Sequence, residues 1–110
     1  MPAEVREGLD KVGGLRALDR RIPDPSRIAA LARHYKVLSD KIRLKLLYAL
    51  SLTDMCPCVL KVTSGTSDSK LSYHLRLLEA EGLITSKRVK YWRIYSITAD
   101  GLRALRSWKC

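Results

Sequence analysis

The sequence predicts a mostly α-helical chain with one small β-hairpin, folded as a winged helix-turn-helix and assembled as a homodimer. Three observations carry the prediction. Apolar residues recur at helical spacing in two successive segments after Ser26. Further on, a tight turn around Gly65 joins two shorter helical segments, the second capped by Ser67. After Gly82 the texture changes to β-branched and aromatic residues on either side of a basic turn. With 110 residues the chain makes one domain with a thin core, which favours a dimer that shares apolar helices.

Taken in order, residues 1–25 read as an N-terminal extension, a short helix followed by a linker. Val5, Leu9 and Val12 have helical spacing, but Gly13-Gly14 interrupts them and "RRIPDP" punctuates the chain. Residues 26–110 read as the winged helix-turn-helix domain. Ile28, Leu31, Ala32, Tyr35 and Leu38 make the stripe of the first helix. Ser39-Asp40 breaks and caps, and "KIRLKLLYALSL" follows as a more buried helix with Ile42, Leu46, Ala49 and Leu50 on one face. Asp54 to Pro57 turns into a short helix that stops at Gly65. Ser67 caps "DSKLSYHLRLLEAEG", which stops at Gly82. "LITSKR" and "YWRIYSIT" form the hairpin, with Trp92, Tyr91 and Tyr95 read as its core, although alternation sends neighbours to opposite faces and leaves room for one of these rings to be exposed. Thr98 caps a last helix that packs through Leu102 and Leu105.

Composition narrows the function. There are 21 Lys and Arg against 11 Asp and Glu, a net charge of +10, which points to a polyanion: DNA, RNA or an anionic membrane. No apolar run reaches the roughly 20 residues of a membrane span, and the acidic start lacks the core of a signal peptide. Three cysteines are too few for a disulfide framework, so a cytoplasmic location with free, metal-bound or redox-active thiols is expected. No Gly-rich phosphate loop, carboxylate pair or Ser-His-Asp order marks an enzyme. A thiol oxidoreductase would need C-x-x-C after a strand, whereas this chain has C-x-C after a helix.

On a helical wheel of the segment 68–81, Leu71, Leu75 and Leu78 share one face with His74 at its edge. His74 reads as a hydrogen-bonded core-edge residue, and His34 carries no assignment. Ser69, Tyr73 and Arg76 lie opposite, flanked by Lys70 and Ser72, with Ser67 at the cap. Hydroxyls, one ring and two cations suit base edges and phosphates in a major groove. Lys87, Arg88, Lys90 and Arg93 cluster around the hairpin turn, where a wing meets backbone phosphates. The expected nucleic-acid contacts are therefore Ser67, Ser69, Lys70, Ser72, Tyr73, Arg76, Lys87, Arg88 and Lys90.

The chain resembles the ArsR/SmtB family of metal-sensing winged-helix repressors. The similarity runs without gaps from about Val37 to Thr98: "LSDKIRLKLL" resembles L-x-D-P-x-R-L-x-I-L, and "MCPCVL" resembles L-C-V-C-D-L. "SDSKLSYHLRLLEAEGLI" is similar to S-Q-S-T-V-S-H-H-L-x-x-L-x-x-A-G-L-V, and "SKRVKYWRIYSIT" to the wing segment R-x-G-R-x-x-Y-x-L-T. The resemblance implies a homodimer built on the first and last helices, bound to double-stranded DNA at an inverted-repeat operator. It implies that an effector weakens DNA binding. Arsenic and cadmium members carry C-x-C at the positions of Cys56 and Cys58. The chain departs from the pattern at several points. Lys41 replaces a proline and Val59 an aspartate. Tyr73 replaces a histidine, and Val89-Lys90 replaces the wing glycine. Lys61 stands where a third thiol occurs in some arsenic sensors. The last helix lacks the ligands of zinc sensors.

Cys56 and Cys58 flank Pro57 at a helix start, where the helix dipole favours thiolate. Two thiolates one residue apart can share a thiophilic ion such as As(III) or Sb(III), with Cys110 as a third ligand from the same subunit or its partner. No organic cofactor is expected, although Cys-Pro also occurs in haem-responsive segments. Two alternatives stay open: a redox regulator in which the pair forms a strained, easily reduced disulfide, and a DNA- or RNA-binding protein without an effector.

Overall fold

The computed structural model describes residues 1–106. The chain divides into two compact units, Met1–Arg33 and the remainder from His34 onward. In the first, α1 (Ala3–Lys11) and α2 (Leu15–Arg21) are separated by Gly13 and Gly14, both at positive φ (98° and 93°). Neither helix buries a residue. The extension thus holds a second helix where the sequence reads as linker. Val5, Leu9, Val12, Leu15 and Leu18 line a shallow apolar groove there.

The second unit carries the core. α3 (Pro25–Leu38) runs into it and buries Val37. Ile28, Leu31 and Tyr35, three members of the predicted stripe, remain exposed at 44%, 50% and 62%. Asp40 caps α4 (Lys41–Leu52), accepting from the Ile42 and Arg43 N–H groups at 2.9 and 3.1 Å. Burial pushes the Asp40 carboxyl up, but the Arg43 N–H and guanidinium and the Ile42 N–H outweigh it and hold the group below its ordinary value. Leu46, Leu47 and Leu50 of α4 form the centre of the core with Leu60, Leu78, Leu83 and Ile84.

α5 (Pro57–Ser64) ends at Gly65, whose left-handed φ of 68° turns the chain toward Ser67. Ser67 Oγ accepts from the Lys70 N–H and starts α6 (Asp68–Ala80), which buries Leu71, His74, Leu75 and Leu78. Gly82 (φ 76°) closes α6 by allowing the Leu83 N–H to reach the Leu78 carbonyl at 3.0 Å. β1 (Ile84–Val89) and β2 (Trp92–Ile97) then pair antiparallel from Ile84↔Ile97 to Val89↔Trp92. Lys90 takes the positive φ (56°) that the two-residue turn demands.

Alternation along this register corrects the predicted hairpin core. Tyr91 lies in the turn, 93% exposed, and Trp92 is 58% exposed, so Tyr95 alone of the three packs on the core. Thr98 caps α7 (Ala99–Arg106), accepting from the Gly101 N–H and donating to the Gly82 carbonyl. Gly101 approaches closely: a Cβ there would lie 2.3 Å from the Leu83 carbonyl oxygen. α7 turns Leu105 inward, with Leu102 half-buried. These are the helices, turn and wing that the sequence predicts.

Candidate nucleic-acid interface and thiol site

The outward face of α6 presents Ser69, Lys70, Ser72, Tyr73 and Arg76, all exposed, with Tyr73 in edge contact with His74. Ser67 is engaged locally, as the cap and 3.4 Å from Ser69 Oγ. The helix is braced from behind by a buried polar group. Arg43 Nε donates to the Val37 carbonyl at 2.6 Å, and Nη1 donates to His74 Nδ1 at 3.1 Å. Because a guanidinium only donates, His74 Nδ1 is the acceptor of this bond. His74 is thus the core-edge residue read from the sequence, while Arg43 is invisible there as its partner. His34 is likewise engaged: its Nδ1 lies 3.1 Å from Glu81 Oε1, tying α3 to the end of α6.

Lys87, Arg88 and Lys90 are exposed on the wing. The register sets Arg88 directly opposite Arg93, a like-charge pair that a phosphate would relieve. Arg93 Nη1 donates to Ser86 Oγ, which donates to Glu79 Oε2, so hydrogen bonds connect the wing to α6. The sequence gives no sign of this tether, because it depends on strand register.

Cys56 is the N-cap residue of α5, half-buried, and Cys58 is exposed one turn-step on. Pro57 at the first helical position fixes the backbone between them. The neighbouring Cys58 thiol and the Val59 N–H favour thiolate at Cys56 and lower its pKa, while the same contact raises that of Cys58. The pair thus sets two sulfurs side by side at one helix start, a soft donor set for a thiophilic ion. Cys110 lies outside the described residues. Among the described residues no group of three or more His, Cys, Asp or Glu gathers as for a metal ion. Lys61 pairs with Asp68 at 3.1 Å.

The residue just before the thiols is joined to the wing. The Met55 N–H donates to the Tyr95 carbonyl at 3.1 Å and the Tyr95 N–H to the Met55 carbonyl at 2.9 Å. Beside this joint, an open, mostly apolar cleft of about 550 Å³ is lined by Thr53, Asp54, Met55, Cys56, Cys58, Val59, Trp92 and Ile94.

The fold is a winged helix-turn-helix, and the family match defines the class: a transcriptional regulator that binds DNA through it. The family model described as "Bacterial regulatory protein, arsR family" matches residues 40–86. The arsenical resistance operon repressor of Bacillus subtilis is 34% identical over 74 residues, covering 66% of this chain and 70% of that protein. A cadmium resistance transcriptional regulatory protein, the CadC homolog of Staphylococcus aureus, is 32% identical over 76 residues, 68% of this chain and 63% of its own length. The crystal structure of NolR from Sinorhizobium fredii matches with a TM-score of 0.67 and 27% identity, covering 78% of this chain and 93% of that one. The chain belongs to the ArsR family of bacterial regulatory proteins. No described helix is long and apolar enough to cross a membrane.

Proposed function

We propose that the chain acts as a homodimeric repressor on an inverted-repeat operator, which it releases when Cys56 and Cys58 bind As(III), Sb(III) or another thiophilic ion. The carrying observation is the position of the thiols: one residue after Met55, whose main chain pairs with Tyr95 of the wing, and at the start of α5, which leads into α6. Ligation draws two side chains of one helix start toward a common centre. Any rotation of that start acts on α5 and, through Met55, on β2. Names of relatives give further support, since these are repressors and regulators of arsenical and cadmium resistance.

In this reading α6 enters the major groove. Tyr73 and Arg76 meet base edges, Ser67, Ser69, Lys70 and Ser72 meet edges and phosphates at its margin, and Lys87, Arg88 and Lys90 hold phosphates from the wing. The double substitution Cys56→Ser with Cys58→Ser should keep DNA affinity and abolish the response to arsenite. In the native protein the response should amount to about 5- to 150-fold, the usual span of an allosteric coupling of about 1–3 kcal/mol. A gel shift or anisotropy titration on operator DNA decides it. A double-serine variant that still releases DNA on arsenite rules the sensor out. The mutual thiol contact also favours a redox reading, and diamide releasing the operator while arsenite and cadmium do not would select it.

A further inference from the structure

The thiol pair borders a cleft that the proposed sensor reading does not yet use. Trp92, at 58%, and Val59, at 45%, remain exposed at its wall although each is a large apolar side chain, and Met55 and Ile94 complete it. Its volume of about 550 Å³ compares with the about 150 Å³ of apolar cavity that suffices for a benzene ring.

Trivalent arsenic makes three bonds. Two thiolates satisfy two of them, and the third keeps whatever group the arsenic brought. For inorganic arsenite that group is a hydroxyl, which an apolar wall does not solvate. A carbon substituent suits the wall, since it leaves water for an aromatic and aliphatic surface.

We infer that this cleft is a subsite for the organic group of a monosubstituted trivalent arsenical, held by Cys56 and Cys58 and packed against Trp92 and Ile94. The inference rests on the thiol-sensor reading. The binding step balances without an oxidant. Two As–S bonds form and two As–O bonds of the R–As(OH)₂ species break. The two thiol protons leave with the two hydroxides as two waters, and arsenic stays trivalent.

The test uses the full chain and two probes, phenylarsine oxide and sodium arsenite, each competed against dithiothreitol with bound arsenic read by intact mass. Trp92→Ala and Ile94→Ala should each weaken phenylarsine oxide by about tenfold, the scale of a lost aromatic or aliphatic contact, and leave arsenite unchanged. Cys110→Ser should leave phenylarsine oxide unchanged. Equal losses for both arsenicals would mean that the wall merely positions the thiols, and overturn the subsite. Unchanged affinity for both, or dependence of phenylarsine oxide on Cys110, overturns it as well. The sensor reading fails separately, if the double Cys→Ser variant binds both probes as the native protein does.

Discussion

At the scale of the residue, Arg43 decides whether α6 is held in one place. It is 9% exposed, and its fork satisfies the Val37 carbonyl and His74 Nδ1 at once, with Asp40 Oδ2 3.9 Å away. Arg43→Leu leaves two buried acceptors unpaired and should cost about 2–4 kcal/mol, read as a fall in the urea midpoint. Arg43→Lys should recover only part of this, because an ammonium lacks the planar fork. A leucine variant within about 0.5 kcal/mol of native, the usual range of a surface change, would sink this account. His74 was legible from its place on the wheel beside Leu71, Leu75 and Leu78. Arg43 was not, because in the linear pattern it is one cation among many on an amphipathic helix. Only the fold brings it under α6.

Elements show the same division between local and long-range information. The stops at Gly65 and Gly82 and the caps at Ser67 and Thr98 were legible because each depends on a few neighbouring residues. Nothing beside Gly101 in the sequence marks it, since the Leu83 carbonyl and Ile97 side chain that crowd it come from other elements. Gly101→Ala should therefore destabilise by about 1–3 kcal/mol through overpacking, outweighing the roughly 1 kcal/mol that alanine gains in a helix. Thermal melting checks this, and a raised midpoint would refute it. For the candidate site, the thiol pair and the outward face of α6 could be read from spacing, whereas the cleft needed the register that brings Trp92 and Ile94 to Met55. The two elements proposed to face DNA should also behave differently. Arg76→Ala should weaken binding and blur sequence choice, while Lys87→Ala or Arg88→Ala should weaken all sequences alike and flatten the salt slope by about one unit per contact. Wing variants that alter sequence preference, with Arg76 indifferent, would reverse these roles.

For the molecule as a whole, the predicted stripe of α3 carries the quaternary expectation. Ile28, Leu31 and Tyr35 hold helical spacing yet stay exposed in the single chain, as a face awaiting a second copy would. Leu31→Lys with Tyr35→Lys should convert a dimer to a monomer in sedimentation at micromolar concentration, and operator affinity should fall with it because one half-site is left unread. A native chain that sediments as a monomer at that concentration defeats the proposal. The chain's +10 net charge gives association a strong dependence on salt whatever the assembly, so affinities for the two forms compare only at one ionic strength.

The joint between Met55 and Tyr95 uses main-chain groups alone. It is therefore indifferent to which side chains stand next to it. In the proposed sensor, substituting Cys56, Cys58, Val59 or Trp92 would change what the neighbourhood recognises without removing a hydrogen bond from the joint. Over evolutionary time such a layout separates the input from the linkage, so that descendants of one chain can diverge in the chemical signal they answer while inheriting the same lever. To rewire the proposed sensor, an engineer would begin with those four positions and leave the backbone pairing alone.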